Sequence, residues 1–253
     1  YFFLKIQLSN FMTEAIIIIP CFNEEKRINV EKFIKFSNAN PVSFYFVNDG
    51  STDNTIDKID YIISKTKNNS KLNLSQNVGK AECVRLAMLE ASEKYQTDLF
   101  GYWDADLATP LDEIMQFIEI CKSKNCIMIF GSRFKKIGNK IERNFLRHIL
   151  GRIIATIASL LLGLGIYDTQ CGAKIIKKKY IYNLFQKPFH TKWLFDIEIF
   201  FRLKDDMKIN NLYEKNLDEW IDIKGSKLSL KDFIKTPIEI VKIFYHYRFK
   251  NWI

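Results

Sequence analysis

The sequence predicts an α/β fold in which helices flank a mainly parallel central sheet. Short apolar segments rich in β-branched and aromatic residues alternate with helical segments of about ten to fifteen residues, which is the pattern of repeated βαβ units. The composition is globular, since 47% of the 253 residues are hydrophobic and 26% are charged. This length suits one large domain or two small ones, and we expect a single domain over residues 1–253.

The first half of the chain shows the alternation most clearly. Residues 15–20 (AIIIIP) form a β-branched run that suits a strand buried on both faces, and residues 43–49 (SFYFVND) form a second apolar strand with a polar end. A helix through about residue 36 separates the two strands. The next predicted elements are, in order, a helix at 55–65, a strand at 71–74, a helix at 79–94, a strand at 99–103, a helix at 110–123 and a strand at 126–132.

The second half alternates less regularly. We expect an apolar helix at 144–164, a strand in the AKII segment at 173–176, an amphipathic helix near 195–204 and a basic, aromatic helix at 230–251. Pro237 lies inside the last of these helices. Because proline lacks a backbone N–H, we expect it to break or restart that helix.

Charge and cysteine content narrow the possible partners and the compartment. Lys and Arg number 38 against 29 Asp and Glu, so the net charge of +9 should attract anions, whether nucleic acid, nucleotides or anionic lipid. Five scattered cysteines without a C-x-x-C pair argue against a zinc site or a disulfide framework and favour a reducing cytosol. The longest run without a charged residue or histidine, 153–167, is shorter than the ~20 residues of a bilayer span. The N-terminal YFFLKIQLSNF lacks the features of a signal peptide.

Carboxylates follow several predicted strands directly. Glu24 and Glu25, next to Asn23, come after the first strand, Asp49 after the second, and Asp104 with Asp106 after a later one in YWDADLATP. Ligands of parallel sheets bind beyond the carboxyl ends of the strands, so we expect these side chains at one rim. Asp104 and Asp106 can hold a divalent cation that bridges diphosphate oxygens, although an acidic turn before a helix is the simpler alternative.

Four segments in this order and spacing carry a family resemblance: AIIIIPCFNEE at 15–25, FVNDGSTDNT at 46–55, NVGKA at 77–81 and WDAD at 103–106. In them the chain resembles the family 2 glycosyltransferases, which are nucleotide-sugar enzymes of the GT-A fold. The resemblance covers about residues 15–133, the expected nucleotide-sugar-binding half. It implies a nucleoside diphosphate sugar donor, a Mg²⁺ or Mn²⁺ ion, and inversion at the anomeric carbon.

The resemblance also implies roles for single residues. Asp104 and Asp106 match the pair that approaches the ribose and holds the metal on the diphosphate. Ala108 stands where related lipid-linked enzymes have a polar residue, so a third metal ligand would come from water, diphosphate or another residue. The residues that match the nucleotide-sugar site are Pro20, Asn23, Glu24, Asp49, Gly79, Lys80 and Asp104.

Three later segments, YDTQCGAK at 167–174, WLFDIE at 193–198 and EWIDIKGSKL at 219–228, resemble dolichyl-phosphate β-glucosyltransferases and related polyprenyl-phosphate glycosyltransferases. The resemblance implies transfer of a hexose, with glucose expected, from a UDP-sugar in preference to a GDP-sugar to a polyprenyl or dolichyl phosphate. Residues 134–229 would form the acceptor half, and 230–253 a basic amphipathic tail helix.

A phosphate acceptor changes which side chains the reaction needs. A phosphate monoester is largely dianionic at neutral pH, so it needs cations more than a base. A hydroxyl acceptor would need a general base, for which Asp196 is the candidate; with a phosphate acceptor Asp196 would orient a sugar hydroxyl. Asp168 and Gln170 suit an anchored turn. The candidate phosphate ligands are Arg133, Arg143, Arg147 and Lys227, for which a solvated basic face is the alternative.

The helix at 144–164 and the tail at 230–253 are the candidate membrane contacts, because both combine basic and apolar residues. For the helix at 144–164, packing in the protein core is the alternative. We therefore expect a peripheral enzyme on the cytoplasmic face of a membrane, with no prediction of oligomeric state. Three alternatives stay open: a family 2 enzyme acting on a hydroxyl of a glycan or glycolipid, a sugar nucleotidyltransferase, and a basic nucleic-acid or membrane-binding module. We expect no nucleic-acid partner, since no recognised nucleic-acid motif is present.

Overall fold

The computed structural model describes residues 13–142, 145–205, 211–223 and 230–249. Of residues 145–148, 150, 205 and 230–235 only the backbone is described. Arg143 and Lys227 therefore lie outside the described residues, and so does the side chain of Arg147.

The first half of the chain has every predicted strand and helix. Its elements are, in order, β1 (Ala15–Cys21), α1 (Val30–Ala39), β2 (Val42–Asp49), α2 (Thr55–Ser64), β3 (Ser70–Leu74), α3 (Lys80–Lys94), β4 (Leu99–Trp103), α4 (Asp112–Ser123) and β5 (Met128–Ser132). The predictions hold because β1, β2, β4 and β5 are mainly apolar runs with buried side chains, while the partly buried β3 (SKLNL) alternates polar and apolar residues at the edge of the sheet.

The second half adds elements that the sequence pattern did not predict. Its elements are β6 (Lys140–Glu142), α5 (Phe145–Leu162), β7 (Ala173–Lys177), α6 (Lys178–Phe185), α7 (Phe195–Asp205), β8 (Leu212–Asn216), β9 (Glu219–Ile221) and α8 (Leu230–Phe249). Of these, β6, β8, β9 and α6 were not predicted. They are short, and β8 is a polar strand (LYEKN) that pairs with β5.

The expected break at Pro237 is wrong. α8 runs from Leu230 to Phe249 with Pro237 inside it. A proline removes a single intrahelical N–H bond, and the remaining ladder of a 20-residue helix continues on both sides of it. The tail is therefore one helix rather than two.

Seven strands form the central sheet, in the order β3-β2-β1-β4-β7-β5-β8. β1 pairs in parallel with β2 and β4, β2 with β3, and β5 with β8, whereas β7 is antiparallel to both of its neighbours. Gly101 makes the junction of β4 with β7 possible, because a Cβ there would lie 2.4 Å from the carbonyl oxygen of Lys174. The predicted mainly parallel sheet is confirmed.

The core lies on both faces of this sheet. Successive side chains of β2 point to opposite faces, so Phe44 and Phe46 pack with α1, α2 and α4, while Tyr45 and Val47 pack with the layer that contains α3, α6 and α7. All five cysteines are free and buried. Within the described ranges, no helix combines the length and the hydrophobicity that crossing a bilayer requires. The carboxyl ends of β1, β2 and β4 meet at one edge, where the site lies.

Candidate active site

A cavity of about 450 Å³ opens at the carboxyl edge of the sheet and extends to α5, α7 and the start of α8. This volume suits a small-molecule ligand. Asn23 is a predicted site residue that does not line it. The predicted residues that do line it are Pro20, Glu24, Asp49, Gly79, Lys80, Asp104, Asp106, Arg133 and Asp196.

Asn23 joins two loops at the rim of the cavity. Its Oδ1 accepts a hydrogen bond from the backbone N–H of Thr52 at 2.8 Å, and its own N–H donates to Ser51 Oγ at 3.0 Å. The next residue, Glu24, donates its N–H to Thr55 Oγ1 at 2.8 Å. Asn23 thus holds the loop after β1 against the loop after β2, and this leaves Glu24 in the cavity wall.

Asp49 supports the loop that precedes α3. Its two carboxylate oxygens accept the N–H groups of Val78 at 2.7 Å and Gly79 at 3.0 Å, and the side-chain amide of Asn77 at 3.1 Å. Gly79 has φ +90°, a conformation that L side chains rarely adopt. The end of β2 therefore fixes the backbone of residues 77–79 at the cavity wall.

Asp104 and Asp106 follow β4 directly, and each meets a basic side chain. Asp104 Oδ1 lies 2.5 Å from Lys80 Nζ, and Asp106 forms an ion pair with Arg27. Burial, followed by repulsion from Asp104, raises the pKa of the Asp106 carboxyl above its ordinary value. Burial opposes the charge of Lys80, but the surrounding carboxylates, Asp104 first, outweigh it and raise the pKa of Lys80.

The two aspartates fit a divalent cation as partial ligands. They are hard oxygen donors, two residues apart in the chain, that line one cavity, and each is already paired with a basic side chain. Among the residues that the structure describes, no group of three or more His, Cys, Asp or Glu could complete the coordination. The remaining ligands would have to come from bound diphosphate or water.

Arg133 lines the same cavity and is oriented by Asp168. Its Nε and Nη2 donate to the two oxygens of Asp168 at 2.6 and 2.8 Å, and its guanidinium lies 5.4 Å from the ring centroid of Trp220. Burial opposes the charge, but Asp168 holds the pKa of Arg133 above its usual value. The cavity wall therefore carries a permanent cation at Arg133.

Asp196 lies in the first turn of α7 and is held by two buried partners. Its Oδ1 lies 2.5 Å from Lys174 Nζ and accepts a hydrogen bond from the Tyr102 hydroxyl. Burial first, and then the charge of Asp196, raise the pKa of Tyr102 well above its ordinary value, so that tyrosine remains a donor. The carboxylate lines the cavity in a fixed position.

Glu198, the last residue of the FD-x-E segment, shapes the loop before α7. It is fully buried and accepts the N–H groups of His190 at 3.0 Å and Thr191 at 2.9 Å. The same loop places Lys192 and Trp193 in the cavity wall. Glu198 thus acts through the loop and does not itself line the cavity.

Sequence reasoning missed several residues of the cavity wall. Only tertiary contacts bring them there, although two carried a signal: Arg27 directly follows the acidic loop after β1, and Arg152 is a charged residue within an apolar helical stretch. The missed residues include Arg27, Arg152, Lys192, Trp193 and Trp220.

The chain is similar in sequence to known enzymes over most of its length. A dolichyl-phosphate beta-glucosyltransferase of Trichomonas vaginalis is 30% identical over 93% of this chain and 72% of its own length. The enzyme of the same name from Saccharomyces cerevisiae is 29% identical over 90% of this chain and 73% of its own length.

A structural neighbour supports the fold. Glucosyl-3-phosphoglycerate synthase from Mycobacterium tuberculosis, crystallised with Mn²⁺, uridine diphosphate and glucosyl-3-phosphoglycerate, superposes with a TM-score of 0.68 at 14% identity, covering 93% of this chain and 80% of that one. This likeness confirms the predicted GT-A fold. The model of the glycosyl transferase family 2 matches residues 16–185. The chain therefore belongs to glycosyl transferase family 2, as the sequence motifs predicted, and is a hexosyltransferase.

Proposed function

We propose that this enzyme transfers glucose from UDP-glucose to the phosphate of a polyprenyl lipid, such as dolichyl phosphate, with inversion at the anomeric carbon. Membership of family 2 sets aside the nucleotidyltransferase and the non-enzymatic binding module. The observation that carries the proposal is that one cavity is lined both by aspartates that fit a metal and its diphosphate and by an arginine whose charge Asp168 stabilises.

The names of the relatives agree with a nucleotide-sugar donor and a phosphate acceptor. Several proteins about 29% identical over most of the chain are dolichyl-phosphate beta-glucosyltransferases. The structural neighbour was crystallised with a uridine nucleotide, and in another crystal with UDP-glucose. These names support UDP-glucose as the donor and a lipid phosphate as the acceptor.

Asp104 and Asp106 would hold a Mg²⁺ or Mn²⁺ ion. When bound, this ion offsets the negative charge of the diphosphate that leaves the sugar. Lys80 and Arg27 already form ion pairs with these two carboxylates before the donor arrives. The backbone of residues 77–79, fixed by Asp49, forms the wall that contacts the nucleotide.

A phosphate acceptor needs cations rather than a base. A phosphate monoester is already an anion at neutral pH, so its oxygen can attack without losing a proton. Arg133 binds this phosphate, and Asp168 fixes the direction of its guanidinium. Asp196 accepts a hydrogen bond from a hydroxyl of the transferred sugar, a role that suits a carboxylate held by Lys174 and Tyr102.

We place the enzyme at a membrane surface, in contact through α5 and α8. In α5 the apolar residues Ile149, Ile153 and Leu160 are exposed, and in α8 a stripe of exposed apolar residues is accompanied by exposed Lys242 and Arg248. Exposed apolar residues beside basic ones suit a bilayer that contains anionic lipid. Both helices also line the cavity. The α8 stripe consists of Ile238, Val241, Tyr245 and Phe249.

The cytoplasmic face is the side we propose. All five cysteines are free thiols, which suits a reducing compartment.

The test is a panel of UDP- and GDP-sugars with Mg²⁺ or Mn²⁺ and a short-chain polyprenyl phosphate, with release of nucleoside diphosphate as the readout. Release should require UDP-glucose, metal and lipid phosphate together, and Asp106→Asn should reduce it on the order of 100-fold. Release that does not increase with lipid phosphate would contradict the acceptor assignment.

Transfer to a hydroxyl is the second candidate, because Asp196 lines the cavity and could act as a base. The pH profile of Asp196→Asn separates the two. For a hydroxyl acceptor the variant should lose activity at every pH, whereas for a phosphate acceptor it should retain turnover and mainly weaken sugar selectivity.

A further inference from the structure

Two arginines in the cavity wall are anchored by consecutive residues of one loop. Arg133 donates twice to the carboxylate of Asp168. Arg152, from α5, donates to the carbonyl oxygen of Tyr167, the residue before Asp168, at 2.5 Å. Its guanidinium also lies 3.6 Å from the centroid of the Tyr167 ring. The pair Tyr167–Asp168 therefore orients both guanidinium groups.

The loop itself is fixed from the sheet. The two carboxylate oxygens of Glu214, on β8, accept the N–H groups of Tyr167 at 2.9 Å and Asp168 at 2.7 Å. Glu214 thus sets the backbone that carries both anchors. Rigid support of this kind is what a binding site needs, because little side-chain freedom remains to be lost when the ligand binds.

Each arginine retains donors beyond those used by its anchor. A guanidinium has five N–H donors in a planar fork. Asp168 binds the Nε and Nη2 edge of Arg133. The hydrogen bond from Arg152 to the Tyr167 carbonyl oxygen uses Nη1. Both side chains line the cavity. Two such forks facing one space match the several oxygens of a phosphate.

We propose that Arg133 and Arg152 together form the subsite for the phosphate of the acceptor lipid, and that the lipid chain leaves along α5. This inference rests on the proposed function and adds Arg152, which no sequence motif indicated. A phosphate with an attached apolar chain fits better than free phosphate. Immediately beside Arg152 on α5, Ile153 is exposed while Ile154 and Ala155 line the cavity.

The test measures binding directly, by titration calorimetry of the UDP-bound enzyme with farnesyl phosphate, farnesol and inorganic phosphate. The variants are Arg152→Gln, Arg152→Lys and the control Lys135→Gln, which removes an exposed positive charge two residues after Arg133 and outside the cavity wall. Farnesyl phosphate should bind more tightly than either farnesol or inorganic phosphate. Arg152→Gln should weaken it at least about tenfold, and Lys135→Gln by less than about twofold.

Arg152→Lys keeps the charge but loses the planar fork, so an intermediate loss is expected. It also carries the comparison if the Gln variant does not fold. In steady-state assays both variants should raise KM for the lipid phosphate and leave KM for the donor unchanged.

Three results would overturn the subsite: equal farnesyl phosphate affinity in Arg152→Gln and wild type, an equal loss of UDP affinity, which would assign Arg152 to the donor, or preferential binding of inorganic phosphate. The proposed function fails separately. An enzyme that binds farnesyl phosphate through Arg152 but transfers no sugar to it would keep the subsite and refute the reaction.

Discussion

The ammonium of Lys174 lies 2.5 Å from Oδ1 of Asp196, and the lysine side chain has no exposed surface. Lys174 Nζ also donates to the carbonyl oxygens of Cys171 at 2.6 Å and Thr169 at 3.3 Å. One lysine therefore ties the loop before β7 to the start of α7. A buried ion pair of this kind is costly to break from one side, because the remaining charge has no partner.

Lys174→Met should accordingly destabilise the protein by about 3–5 kcal/mol, as measured by urea denaturation. Lys177→Met is the matched control on the same strand, since the ammonium of Lys177 donates to the side chain of Asn125 in an exposed hydrogen bond and its loss should cost less than about 0.5 kcal/mol. Equal unfolding midpoints for the two variants would show that the Lys174 pair contributes no stability.

Asp106→Asn should reduce nucleoside diphosphate release on the order of 100-fold, because charge stabilisation at the departing diphosphate is lost. The release should also vanish with EDTA and return with Mn²⁺ in the wild type. Asp112→Asn, an exposed aspartate at the start of α4, is the matched control and should leave the Mn²⁺ titration unchanged. An Asp106→Asn enzyme with the wild-type Mn²⁺ response would exclude this residue as a metal ligand.

The α8 stripe predicts membrane binding that can be weakened without touching the cavity. The double variant Val241→Asn/Tyr245→Asn should lower partition onto vesicles of phosphatidylcholine and phosphatidylserine by about tenfold or more, since each apolar side chain buried in the interface contributes about 1.5–3 kcal/mol at most. Sedimentation with vesicles measures this. Ile137→Asn is the control, because Ile137 is fully exposed but lies outside both helices.

If the double variant sediments like the wild type, the stripe does not face lipid. A second copy of the chain would then be the alternative partner, and the oligomeric state of the variant would report it.

The raised pKa of Tyr247 predicts that the contact of α8 with α7 loses stability at alkaline pH. Its hydroxyl accepts a hydrogen bond from Arg202 Nε at 2.9 Å and donates to Glu198 at 3.1 Å, and burial followed by the Glu198 charge raises the pKa of Tyr247 to about 12. An unfolded tyrosine ionises near pH 10, so the stabilising contribution is complete below pH 10 and is lost as the pH rises toward 12. Thermal unfolding of the wild type should therefore lose stability over this window relative to Tyr247→Phe. Parallel curves for the two proteins would contradict the assignment.

The sequence predicted the central sheet closely, since β1 and β2 are continuous apolar runs that only a two-sided burial accommodates. It also predicted that Glu24, Asp49, Asp104 and Asp106 share one rim, because strand ends of a parallel sheet lie at the same edge. It did not predict β6 and β9, whose three-residue strands have no pattern of their own and form only by pairing with each other.

By itself, then, the sequence determined the layered α/β fold, the family and the carboxylates that line the cavity at the ends of β1, β2 and β4. These depend on local periodicity and on motifs whose residues are close in the chain. The tertiary structure alone decided the partners. Arg27 meets Asp106 across 79 residues, Lys174 meets Asp196 across 22, and Arg152 reaches the cavity through α5 and the Tyr167 loop. The physical reason is that a buried charged side chain needs a partner that offsets its loss of water. In the folded chain these partners come from segments that are distant in the sequence.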